Sequence, residues 1–206
     1  AASDVYKRQK YNYNNEIMVT VGGSEGIDMA LRAMLDPGDE VIIPQPSYVS
    51  YEPCTVLAGG KPVIVELKEE NEFRLTAEEL EEAITPKSKI LIMPFPNNPT
   101  GAVMELNDIE AIAKVVKEHD LYVITDEIYS ELTYLEKHVS IASLPGMKER
   151  CVLINGFSKA YAMTGWRLGY ACAPKEILSQ MLKIHQFAIM LSLIHISEPT
   201  RHLRIS

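Results

Sequence analysis

Short apolar runs alternate with helical periods along this chain. Residues 18–21 read as a strand, and a Gly-Gly step separates it from a helix expected over about 24–35. There Ile27, Ala30, Leu31, Met34 and Leu35 recur at helical spacing. Asp36-Pro37-Gly38-Asp39 is a turn signal, and 40–43 a short strand. A helix is expected near 48–58, stopped by Gly59-Gly60, with a strand at 62–67 after it. Thr76 and Glu79 have the spacing of a capping box, which starts a helix running to about 84. Strand 89–94, amphipathic helix 106–118 and the apolar strands 121–125, 152–155 and 168–173 follow, and another helix opens near Pro174. Strands that are apolar throughout, alternating with helices, predict an α/β fold: a mostly parallel central sheet with helices on both faces. No repeat, low-complexity stretch or linker divides it.

Composition narrows the function classes. The chain has 206 residues, 47% of them hydrophobic and 23% charged, an ordinary balance for a globular protein. A net charge of −8 argues against nucleic acid and against an anionic membrane surface as partners. No apolar run approaches membrane-spanning length, and the N-terminus lacks a signal-peptide stretch. Cys54, Cys151 and Cys172 are too far apart for a metal site or a disulfide framework and read as buried free thiols of a cytoplasmic protein.

The two ends differ from the rest. Asp4 to Gln9 (DVYKRQ) can be written in codons whose reverse complement reads LSLIHI, the sequence of Leu191 to Ile196. One inverted repeat encoding both resembles the transposase adapter of short-read sequencing libraries, with the residues outside it fitting the adapter arms. Segments 1–9 and 191–206 are therefore expected to be adapter-derived and are set aside from fold reasoning. Residues 10–190 are expected to be an internal piece of a larger protein, with negligible turnover by itself.

The chemistry gathers at the strand ends. In an open parallel sheet, ligands bind beyond the carboxyl ends of the strands. Strand 18–21 leads into Gly22-Gly23-Ser24-Glu25, and strand 89–94 into Pro96-Asn97-Asn98-Pro99-Thr100-Gly101. Strand 121–125 leads into Asp126-Glu127-Ile128-Tyr129, and strand 152–155 into Gly156-Phe157-Ser158-Lys159. Four strands thus deliver Gly, Asn, Asp, Tyr, Ser and Lys to one edge. Taken in order, NNPTG (97–101), DEIY (126–129) and NGFSKAYAMTGWRLGY (155–170) resemble the class I aminotransferases, fold type I enzymes that use pyridoxal 5'-phosphate (PLP). The resemblance extends over 17–190 and implies the large, cofactor-binding domain.

What the resemblance implies can be put on physical terms. Lys159 would form the Schiff base with the PLP aldehyde, which requires a neutral amine, and would then carry the proton between Cα and the cofactor. Asp126 would face the pyridine nitrogen and keep it protonated, making the ring an electron sink. Asn98 and Tyr129 would hydrogen-bond the phenolic oxygen. Tyr48 would stack on the ring. Gly23, the N–H groups of Ser24 and Glu25, and Arg167 would hold the phosphate, with the Glu25 side chain turned away. The family often has a serine three residues before the lysine; here Gly156 stands there, and Ser158 is the candidate replacement. The Asn98-Pro99 bond is expected to be cis. Trp166 and Met163 read as packing, Thr100, Gly101 and Gly165 as backbone shaping, and His119, His138 and His185 as surface or helix residues.

The activity implied is transfer of an amino group between an L-amino acid and a 2-oxo acid, by a parent that is a homodimer. The resemblance leans towards aspartate, aromatic or broad-range amino acids. Two alternatives stay open: a PLP-dependent C–S lyase or related enzyme of the same fold, and a non-catalytic PLP-fold regulator joined to a DNA-binding module. The substrate-carboxylate arginine of such enzymes belongs to a second domain outside this sequence.

Overall fold

Strands that are apolar on both sides need cover on both faces, and the fold supplies it. The computed structural model describes residues 11–134 and 138–188; the end segments 1–9 and 191–206 lie outside the described residues. The elements are β1 (Ile17–Thr20), α1 (Gly22–Met34), β2 (Glu40–Gln45), α2 (Tyr51–Leu57), β3 (Lys61–Glu66), α3 (Ala77–Ala83), β4 (Ser88–Met93), α4 (Leu106–Glu118), β5 (Tyr122–Asp126), β6 (Cys151–Gly156), β7 (Gly169–Cys172) and α5 (Lys175–Ala188). The strands form one sheet in the order β1-β7-β6-β5-β4-β2-β3. From β3 to β6 every pairing is parallel, while β7 runs antiparallel to both β6 and β1. The mostly parallel sheet expected from the sequence is thus observed.

The alternation of side chains divides the core in two. Val41, Ile43, Ile90, Ile92, Ile124, Val152 and Ile154 pack with Ile27, Ala30 and Leu31 of α1 and with Leu178 and Met181 of α5. Their chain neighbours Ile42, Leu91, Met93, Val123 and Leu153 face the other way, towards Leu80 of α3 and Ile112 and Val116 of α4. Adjacent residues of a strand point to opposite faces, so runs such as Ile90-Leu91-Ile92-Met93 must be apolar throughout.

Two local expectations are corrected. Helix α2 begins at Tyr51 rather than near 48. Pro53 explains the shift: it lacks an N–H and is tolerated only in a first turn, where no intrahelical bond is required of it. Strand β7 follows β6 through the loop 157–168, which holds no helix of the kind that usually carries a parallel crossover, and pairs with it antiparallel. Among the described residues no helix is long and apolar enough to cross a membrane. Cys151 and Cys172 are buried, as expected, whereas Cys54 is only half-buried.

Candidate active site

The first turn of α1 is built to leave donors unused. Its N-cap residue, Val21, has no side chain able to cap, and the hydroxyl of Thr20 donates to the carbonyl of Gly22 instead of accepting from an N–H. Helix geometry leaves the first N–H groups without intrahelical partners, so those of Gly22, Gly23 and Ser24 stay available to a ligand. Gly22 has a positive φ of 73°, and a Cβ there would lie 2.6 Å from Nη2 of Arg167. The missing side chain lets the guanidinium cover the turn. Arg167 itself holds a left-handed φ of 49° and donates from Nη1 to the carbonyl of Thr164 at 3.2 Å. Glu25 does not reach the cleft: its carboxylate turns away to the N–H of Val21 and to His185.

Gly169 makes the floor of this turn. A Cβ on it would meet the carbonyl carbon of Gly22 at 2.6 Å and the nitrogen of Gly23 at 2.9 Å, both rigid backbone. Gly169→Ala is therefore expected to lower stability by about 2 kcal/mol or more, read as a lowered urea midpoint; an unchanged midpoint would show that β7 and α1 can separate freely. The same packing explains Gly156. A Cβ there would stand 3.0 Å from both Gly169 Cα and the Leu168 carbonyl oxygen, which leaves no comfortable place for the serine usual in the family.

Asp126 ends β5 at the centre of the same edge, 8% exposed. Its Oδ2 accepts the Tyr51 hydroxyl at 2.8 Å and its Oδ1 the N–H of Ile128 at 3.2 Å. Tyr51 is buried and touches Tyr48 edge-on, with ring centroids 5.6 Å apart. Burial, and then the neighbouring Asp126 charge, push the Tyr51 phenol well above its ordinary value near 10. A phenol whose folded pKa is raised adds stability that is full below the unfolded pKa and is lost as pH rises beyond it. The fold is therefore expected to lose stability above about pH 10. Tyr51→Phe should flatten part of that alkaline loss, measured as thermal midpoints between pH 8 and 11; equal slopes for both proteins would contradict the assignment. The Tyr48 hydroxyl lies 3.3 Å from Ser24 Oγ, and hydrogen bonds from Ser24 and Ser50 hold its pKa below the ordinary value.

The loop between β6 and β7 carries the amine. The N–H of Phe157 donates to the Leu168 carbonyl, and the Phe157 ring packs between Tyr161 and Tyr170. This closed base projects Lys159 towards Tyr129, with Nζ 5.4 Å from the ring centroid. Thr164 Oγ1 donates to the Ser158 carbonyl at 3.0 Å, tying down the residue before the lysine. Across the cleft the Asn98-Pro99 bond is cis, as expected. Asn97 anchors that loop through Pro46 and Thr100, leaving Asn98 exposed.

Of the ten residues singled out in the sequence, nine line a single cleft: Gly23, Ser24, Tyr48, Asn98, Asp126, Tyr129, Ser158, Lys159 and Arg167. Glu25 does not line it. The cleft's volume of about 150 Å³ greatly exceeds the roughly 10–15 Å³ one water needs. Tyr51, Ile27, Pro96, Ile128 and Thr164 complete the lining and were not anticipated. For Tyr51 the signal was present: it follows Tyr48 by three residues, the spacing at which two side chains can share a side of a helical turn. Trp166, read as packing, is 59% exposed. His185 is a helix residue, in α5, as expected, but it faces the nearly buried carboxylate of Glu25; His138, 9% exposed, faces that of Glu127 and is not a surface residue.

Comparison with known proteins accords with this geometry. The model of the family described as aminotransferase class I and II matches residues 2–200. The aspartate aminotransferase of Pyrococcus abyssi is 53% identical over 175 residues, which is 84% of this chain and 45% of that protein. Aromatic-amino-acid aminotransferase 2 of Thermococcus litoralis is 50% identical over 173 residues, 84% of this chain and 44% of its own length. The crystal structure of the aromatic aminotransferase from Pyrococcus horikoshii superposes with a TM-score of 0.89 at 48% identity, covering 90% of this chain and 50% of that one. The chain spans about half the length of the curated relatives it matches.

Proposed function

Because the chain belongs to the class I and II aminotransferase family, we propose that its cleft binds PLP and that the whole protein moves amino groups between L-amino acids and 2-oxo acids. The observation that carries this reading is the convergence of three different chemistries on one cleft: Lys159, Asp126, and the uncapped turn of α1 under Arg167. The donor set suits the cofactor from end to end. Backbone N–H groups, Ser24 and Arg167 form an anion site for its phosphate. The Asp126 carboxylate suits a protonated ring nitrogen, and Asn98 and Tyr129 suit the phenolic oxygen. Tyr48 offers an aromatic face to the ring.

When bound, PLP supplies an electron-withdrawing ring that delocalises the electron pair left at a substrate Cα after proton loss. The remaining work belongs to this chain. Lys159 would hold the cofactor through its aldehyde carbon, and its amine would carry the proton at the substrate Cα. Asp126, held by Tyr51 and the Ile128 amide, keeps its negative charge aimed into the cleft. Ser158, tied through Thr164, fixes the backbone from which Lys159 projects.

A stoichiometric half-reaction tests the proposal. The PLP-loaded protein is mixed with aspartate, an aromatic amino acid or a cysteine conjugate, and products are identified by mass spectrometry. One 2-oxo acid and one pyridoxamine phosphate per site are expected. Ammonia and pyruvate without pyridoxamine phosphate would instead make the protein a lyase.

A further inference from the structure

Helix α5 reaches back to the first turn of α1 through one side chain. His185 places Nδ1 2.7 Å from Oε1 of Glu25, and the other oxygen of that carboxylate accepts the N–H of Val21. The side chains are 18% and 6% exposed, so both polar groups have given up most of their water. The two helices do not need this pair to adhere, because Leu178 and Met181 of α5 already share an apolar cluster with Ile27, Ala30 and Leu31 of α1. Desolvating a carboxylate and an imidazole against such a cluster costs free energy that apolar residues would avoid.

The location of Glu25 suggests what that cost secures. It follows Ser24, and its carboxylate bonds the N–H of the N-cap residue Val21, folding the turn back on itself. The N–H groups remaining for an anion are those of Gly22, Gly23 and Ser24. Their direction depends on how this turn is held from behind.

We propose that the His185–Glu25 pair is a positioning device for the phosphate end of the cleft, setting the affinity for a phosphorylated cofactor without touching it. His185 donates from Nδ1, Glu25 relays the constraint to Val21, and the turn is fixed with its donors facing the cleft. The pair links a helix 160 residues away in sequence to the anion site. This inference rests on the PLP reading above.

The test compares two ligands that differ only in the phosphate. PLP and pyridoxal are titrated into the 206-residue chain and into its His185→Ala, His185→Phe and His185→Asn variants, with circular dichroism to verify folding. The phenylalanine variant keeps the ring volume and removes the donor, and serves if the alanine variant folds poorly. Loss of a hydrogen bond to a charged group is expected to raise the PLP dissociation constant about tenfold in the alanine and phenylalanine variants, with pyridoxal unchanged. Asparagine, which restores an N–H near the Nδ1 position, should return PLP affinity to within about threefold of the parent. The proposal is overturned if both ligands weaken together, which is general loosening, or if PLP affinity does not change. A parent chain that takes up neither ligand would instead overturn the PLP reading itself.

Discussion

Replacing His138 with alanine is expected to lower the stability of the fold by about 1–3 kcal/mol. The reason lies behind the site. Glu127 directly follows Asp126, and its side chain is fully buried. Its Oε1 accepts the hydroxyls of Thr125 and Ser140, and its Oε2 lies 3.1 Å from His138 Nε2. Its N–H joins the Ile154 carbonyl, so the same residue locks the end of β5 to β6. The buried charge reaches further: after burial itself, Cys151 and Cys172, it helps raise the pKa of the Tyr11 phenol. Removing the imidazole takes one neighbour from a fully buried carboxylate, which keeps the Thr125 and Ser140 hydroxyls, and opens a void beside it. Urea denaturation should show a lowered midpoint. Adding Glu127→Gln should recover part of the loss, since an amide tolerates the emptied site better than a carboxylate does. A single-variant change below about 0.5 kcal/mol would show that the pair holds nothing.

The second large effect is on the cofactor. Asp126→Ala is expected to weaken PLP binding by a hundredfold or more, about 2.7 kcal/mol or above, in the range for removing one partner of a buried, hydrogen-bonded charge pair. The carboxylate is nearly buried, already committed to Tyr51 and the Ile128 amide, and faces the cleft with its charge. Asp126→Asn should recover little, because an amide keeps the shape but not the charge that favours a protonated ring nitrogen. Absorbance titration measures both. Affinities within threefold of the parent would mean that Asp126 faces something other than a cationic ring atom.

Much of this was legible in the residues. Strand ends announced themselves because runs such as Leu91 to Met93 are apolar on both faces and are soon followed by Gly, Asn or Asp. The donor-rich turn after β1 came only from the resemblance: Gly-Gly-Ser by itself reads equally as a strand-to-helix turn, and the helix starts at Gly22, two residues before the expected Ser24. What could not be read was long-range pairing. His185 finds Glu25 and His138 finds Glu127 only through tertiary packing, and nothing local distinguishes these histidines from surface ones. Tyr51 has a local signal in its spacing from Tyr48, but its role comes only from Asp126, 75 residues away. The start of α2 is set by Pro53, whose missing N–H confines it to the first turn.

Lys159 carries the most direct test of the cofactor site. The protein is incubated with PLP, reduced with borohydride and digested, and the pyridoxyl-bearing peptide is mapped by mass spectrometry while circular dichroism confirms the fold. One modified residue is predicted, Lys159, with loss of the modification in Lys159→Ala and the remaining lysines untouched. Modification scattered over surface lysines of a folded chain, or none at all, would contradict a PLP site built on this residue.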